Sequence, residues 1–206
     1  MTTVLIGAPA AAVTAAEAKA TQVFPTSDGD TYVDLLLAVA QQSVDGPNGW
    51  LGRAIGTQTL ELQARCGFWS IAECDGSIRL AYAPATTITS IKYRDEENVE
   101  HTIDGESYEL IDGYVVRAEG YSWPTAKSVK IRYVAGQAAA DVPKAIKHGL
   151  ILMAAELKTA GGISGAIRRE VVEGVGTFDY ALPDIAAETL RKTGERLLAP
   201  FRVYGL

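Results

Sequence analysis

The apolar residues of this chain change their repeat twice, and that limits what it can fold into. Over 31–44, Val33, Leu36, Leu37, Ala40 and Val44 recur every three to four residues, the buried face of one helix. From 57 to 136 the period drops to two: Val129, Ile131 and Tyr133 alternate with Lys130 and Arg132, which describes a sheet with one wet face. At 141 the helical period returns in DVPKAIKHGLILMAAELKTAGG. There Ile146, Leu150, Met153 and Leu157 form a stripe that Ile151, Leu152 and Ala155 widen, so this helix is buried on more than one side. The pattern predicts an α+β fold, a helical bundle from the N- and C-terminal segments carrying an antiparallel β insert.

Local signals place the boundaries. Residues 1–13 read as a loose arm, 14–56 and 137–206 as the helical domain, and 57–136 as an insert of about six short strands. Thr14 and Glu17 have capping-box spacing, FPTSDGD at 24–30 is dense in breakers, and Asp30 suits the N-cap of the next helix. DGPNG at 45–49 stops that helix, and WLGRAIG could add one more turn. IDGY at 111–114 predicts a tight hairpin, because Asp-Gly accepts the positive φ angles of a type I′ turn. The Gly-rich stretch 163–182 reads as an extended arm or hairpin. Pro183 then opens a last helix to about Leu198, with a thin stripe of Ala186, Leu190 and Leu197. Gly194 inside it costs about 1 kcal/mol relative to Ala.

Composition excludes several classes. With 206 residues, 48% hydrophobic and 21% charged, the chain suits one domain or one with an insert, and not disorder. A net charge of −6 argues against a broad nucleic-acid-binding face; only Lys127, Lys130 and Arg132, and separately Arg168-Arg169, cluster. The start lacks the cationic front of a signal peptide, and no apolar run approaches the ~20 residues that span a bilayer, so cytoplasmic synthesis and no membrane partner are expected. Cys66 and Cys74 match no zinc spacing and read as small apolar side chains. His101 and His148 lack a second ligand at metal spacing, and His148 reads as a core or interface residue on a buried helix. No phosphate-cradling loop or nucleophile elbow occurs, and the carboxylates at 95–97 and at Glu170 and Glu173 read as solvated charge. The chain therefore reads as no enzyme, with no metal and no cofactor. Trp50, Trp69 and Trp123 could line a stacking platform, or pack in the core and at sheet edges.

The chain ends in LLAPFRVYGL, where most termini are polar and frayed. Either this tail folds back onto its own core, or it is meant for another molecule.

The order of the pieces carries a resemblance. A short EAKA helix precedes an amphipathic helix; GRAIGTQTLEL leads into strands; the TITSIKYRD strand has an acidic turn; SWPTAKSVKIRYVAGQ runs into DVPKAIKHGLILMAAEL; LLAPFRV closes the chain. Over roughly 14–204 this resembles the head-tail connector (adaptor, or head-completion) proteins of long-tailed bacteriophages, their prophages and gene transfer agents. The resemblance implies a structural virion protein at the head-tail junction. About a dozen copies would form a ring below the portal protein, extend the DNA channel and offer a platform to the next neck or tail protein. Passing double-stranded DNA would meet an acidic lumen without sequence-specific binding. Phe201, Arg202, Val203 and Tyr204 would anchor the tail in the portal, since aromatic residues and Arg dominate interface energies. Arg168, Arg169, Val171 and Val172 would lie on an arm between subunits. The competing readings are a ligand-binding module with an aromatic patch of Trp69, Tyr82 and Trp123 on the β insert, and another neck or tail part such as a stopper or tail terminator.

Overall fold

The computed structural model describes residues 1–161, 169–172, 176–179 and 183–204. Its elements in chain order are β1 (Thr2–Gly7), α1 (Ala15–Ala20), α2 (Asp30–Val44), a 3₁₀ turn at Gly46–Asn48, β2 (Gln58–Ala64), α3 (Phe68–Ile71), β3 (Ile78–Arg79), β4 (Ala85–Arg94), β5 (Glu100–Thr102), a 3₁₀ turn at Gly105–Ser107, β6 (Tyr108–Ile111) and β7 (Tyr114–Arg117). There follow β8 (Ser128–Ala135), α4 (Lys144–Gly161), β9 (Arg169–Val172), β10 (Gly176–Asp179), α5 (Pro183–Leu198) and a 3₁₀ turn at Ala199–Phe201. Helices and antiparallel sheets are both present, and the fold is α+β. The chain divides into a sheet unit, residues 1–10, 44–142 and 202–206, and a helical unit, residues 11–43 and 143–201.

In the sheet unit, a five-stranded sheet runs in the order β1-β2-β8-β4-β5, and a three-stranded sheet in the order β3-β7-β6. Alternation decides the faces. Val129, Ile131, Tyr133 and Ala135 of β8 and Leu60 and Leu62 of β2 are buried, whereas Lys130 and Arg132 face out. Glu61 lies directly opposite Arg132, and its Oε2 accepts from Nε at 3.0 Å and Nη2 at 2.6 Å. Phe68 stacks on Trp123 with ring centroids 4.8 Å apart and meets Tyr93 edge-on at 5.9 Å. The Trp123 indole donates to the Gly76 carbonyl at 2.8 Å, so its one polar group is satisfied inside the core. Asp112 (φ 51°) and Gly113 (φ 83°) turn β6 into β7 with Ile111 opposite Tyr114, as the IDGY signal predicts.

In the helical unit, Thr14 and Glu17 form the predicted capping box. The Asp34 carboxylate accepts the Ala15 N–H at 2.8 Å, and Lys147 on α4 reaches Glu17 at 2.7 Å. The breaker stretch places Phe24, 1% exposed, in the core, while Asp28 receives Lys158 of α4 at 2.5 Å. The α4 helix packs along α5. Its residues Ile146, Leu150, Ile151, Leu152, Ala154 and Ala155 are all buried, as the widened stripe implied. β9 and β10 pair antiparallel as a separate two-stranded sheet.

Several expectations are corrected. The opening residues are no loose arm: β1 pairs with β2, the Ala10 N–H reaches the Thr57 carbonyl at 2.8 Å, and the Ala12 N–H reaches Gln41 Oε1 at 2.9 Å. The partners lie about thirty to sixty residues away, beyond the reach of any local signal. Asp30 is the first helical residue rather than the cap; the Val33 N–H bonds the Gly29 carbonyl, and the Asp30 carboxylate instead meets Lys19 at 2.5 Å. WLGRAIG adds no helical turn; the short helical piece is Gly46–Asn48. His148 is exposed, because it sits about half a turn from the buried Ile146 and Leu150.

Candidate interaction site at the chain end

The site begins with the loop after α2, and one buried carboxylate organises it. Asp45, 5% exposed, accepts the Ile55 N–H at 2.7 Å, the Gly56 N–H at 3.1 Å and the Gln58 side-chain amide at 2.6 Å. Charge-assisted bonds are the stronger kind, and two from backbone N–H groups and one from a side-chain amide hold the loop on this carboxylate. The Gly46 N–H closes onto the Arg53 carbonyl at 2.9 Å. At Gly49 a Cβ would stand 2.0 Å from the Val44 carbonyl carbon, so only glycine permits this close return of the chain. Leu51 is fully buried, and the half-buried Trp50 beside it stays on the surface.

The tail meets this loop. The Val203 N–H donates to the Leu51 carbonyl at 2.8 Å. The Arg202 guanidinium lies over the Trp50 ring at 5.7 Å and over the Tyr204 ring at 4.8 Å. Three of the four predicted tail anchors therefore gather in one place. Val203 is half-buried, Arg202 is exposed, and Tyr204 is 74% exposed. The fourth, Phe201, is half-buried and ends the 3₁₀ turn Ala199–Phe201. The tail is tied to its own chain through backbone and a cation–π contact, while its largest side chain remains in solvent. Sequence reasoning missed Trp50 and Leu51 as the receiving residues. Nothing in NGWLG signals a strand-like bond to a segment some 150 positions away.

Of the predicted arm residues, Arg169, Val171 and Val172 lie on β9, opposite Asp179, Thr177 and Gly176 of β10. Arg168 falls outside the described residues. The aromatic patch proposed for the β insert does not assemble as expected. Trp123 is 3% exposed within the core, whereas Trp69 is 56% exposed under the Arg117 guanidinium, 5.2 Å from its ring centroid. In a cavity of about 260 Å³ lined by Asp75, Ser77, Arg117, Glu119 and Tyr121, the first three are engaged with one another. The Asp75 carboxylate accepts from the Ser77 N–H and hydroxyl, which hold its pKa low, and Arg117 donates to the Asp75 carbonyl. His101 bonds Asp95 at 2.6 Å in the open and lowers that carboxyl's pKa. Among the described residues no group of three His, Cys, Asp or Glu side chains is placed to hold a metal, and no helix is long and apolar enough to cross a membrane.

No family model matches the sequence, and no curated protein matches it significantly. Solved structures do. A chain of "Neck of empty GTA particle computed with C6 symmetry" superposes with a TM-score of 0.61 at 17% identity, covering 100% of this chain and 97% of that one. A chain of "Virion of native gene transfer agent (GTA) particle" gives 0.62 at 18% identity with the same coverage. A chain of "Neck of native GTA particle computed with C12 symmetry" gives 0.53 at 16% identity, covering 98% and 97%. Over essentially its whole length, then, this chain has the fold of a protein found in the neck of gene transfer agent particles.

Proposed function

We propose that this chain is a structural neck protein of a phage-like particle, and within the neck the head-tail connector: a ring of about a dozen copies below the portal that extends the DNA channel and receives the next neck or tail protein. The observation that carries this is the end-to-end likeness to chains from necks computed with C6 and C12 symmetry. Rings of that kind need heterologous contacts, in which one surface of a subunit meets a different surface of the next. Exposed apolar residues supply material for them: Tyr32, Leu35 and Val39 on α2 are 45%, 59% and 44% exposed at positions that share a helix face. The connector is favoured over a stopper or tail terminator because helices α1 and α2 precede, and α4 and α5 follow, the β-rich stretch from β2 to β8. A net charge of −6 per copy suits a channel that DNA passes without adhering.

In this reading the tail is the portal anchor. Tyr204 is presented to solvent, and Arg202, preset by Trp50, is aimed for a partner carboxylate. The test is attachment. Full-length chain and the double variant Arg202→Glu, Tyr204→Ala are mixed with portal-bearing heads that lack the protein, then separated by sedimentation and imaged. Wild type should co-sediment and appear as a ring at the portal vertex, and the double variant should stay soluble, folded and unattached. Undiminished attachment of the variant removes the anchor role. A wild-type chain that never joins such heads removes the connector function itself.

A further inference from the structure

Among the described residues four strands border the two sheets: β1 and β5 in one, β3 and β6 in the other. Three are guarded in the ways that edges usually are. β5 has three residues and carries Glu100, β3 has two, and β6 carries Glu109. β1 is different: its six residues, TTVLIG, hold no charge and no proline, and Leu5 and Ile6 are 39% and 48% exposed. The register irregularity between Leu5 and Gly7 protects only its far end. Thr2–Leu5 pair regularly with β2 on one side, and among the described residues no strand borders β1 on the other, the side to which alternate residues direct their N–H and C=O groups.

The chain also carries an element that, among the described residues, lacks a third strand. β9 and β10, four residues each, pair only with one another among the described residues. A two-stranded ribbon is marginal in water and gains stability when a further strand joins it. Building on the connector reading, we propose that the β9–β10 ribbon of one copy adds edge-on to β1 of the next, extending that copy's five-stranded sheet and forming the repeating contact of the ring. The lengths agree, four residues against four. Pairing β1 with β1 would be isologous and stop at a dimer, whereas a ribbon donor and an edge acceptor are different surfaces, so the contact propagates until it closes.

Engineered cysteines test this in a full-length chain carrying Cys66→Ser and Cys74→Ser. One set of single variants places cysteine at Thr3, Val4 or Leu5, and a second set at Glu170, Val171 or Val172. Each member of the first set is mixed with each member of the second on portal-bearing heads and oxidised mildly. The expected result is a disulfide-linked dimer in specific mixtures and in neither variant alone, with Leu5→Lys lowering ring yield about tenfold or more while circular dichroism stays unchanged. Rings that form normally with no mixture-specific cross-link and with no effect of Leu5→Lys overturn the ribbon contact and leave the connector reading standing. Cross-linking of β1 variants to themselves also overturns it, in favour of an isologous pair. Absence of any ring overturns the contact and the connector reading together.

Discussion

Gly149 on α4 and Gly194 on α5 face one another: a Cβ on Gly194 would stand 3.1 Å from the Gly149 carbonyl oxygen, and one on Gly149 would stand 3.3 Å from the Gly194 carbonyl oxygen. Two helices approach this closely only where both lack side chains. The glycine that weakens α5 by its own propensity is therefore the one that lets α5 pack.

Substitution at this crossing should be asymmetric. A Cβ at position 149 meets Cγ of the fully buried Leu198 at 2.9 Å, which has nowhere to go. Gly149→Ala should destabilise by about 1–3 kcal/mol. Gly194→Ala should cost less, because the nearest atom it meets is Cγ of the flexible Met153, at 3.0 Å; the helix propensity that alanine returns, about 1 kcal/mol, is the same at both positions. Urea denaturation of both variants measures the difference.

Removing the Asp45 carboxylate strands two backbone N–H groups and the Gln58 amide in a buried loop. Asp45→Ala should lower stability by about 2–4 kcal/mol. Asp45→Asn retains one acceptor oxygen and should fall between it and wild type. Denaturant midpoints at neutral pH give the order.

Val203→Pro deletes the donor to the Leu51 carbonyl while leaving Arg202 and Tyr204 in the sequence. The exposed tail contributes little to folding, so the loss should be roughly 0.5–1.5 kcal/mol. Arg202 should then leave the Trp50 ring. In fluorotryptophan-labelled protein the ¹⁹F resonance of Trp50 should move, while those of Trp69 and Trp123 hold their positions.

Acid should destabilise the fold through two carboxylates held below the ordinary range. Burial alone would raise the Glu61 pKa, but hydrogen bonds from Gln63 and Arg132 and the charges of Arg132 and Lys130 outweigh it. The Lys147 and Thr14 bonds lower that of Glu17. A carboxylate with a depressed folded pKa contributes stability that is complete above its unfolded pKa and disappears as pH falls through the folded value. The loss should therefore set in below 4.5, the ordinary value for glutamate. Glu61→Gln should be less stable than wild type at pH 7 and show a shallower decline on acidification, as followed by thermal melts across pH 3–7.

Features governed by neighbours in sequence were legible from the residues alone. The capping box at Thr14 and Glu17, the Asp112-Gly113 turn, the alternation in β8, the wide buried stripe of α4 and the start of α5 at Pro183 each depend on contacts within a few positions. Period and cap chemistry act over that range.

Local pattern set the type and approximate extent of most elements, because backbone hydrogen bonding and solvent exposure repeat with the period of each. Tertiary structure alone decided the rest: that TTVLIG is a strand, that Trp123 lies inside while Trp69 lies outside, that Gly194 answers Gly149, and that Val203 returns to Leu51 beside Trp50. Each of these joins residues about forty-five to 150 positions apart. Such contacts are selected by the free energy of the folded chain as a whole, and no local pattern encodes them.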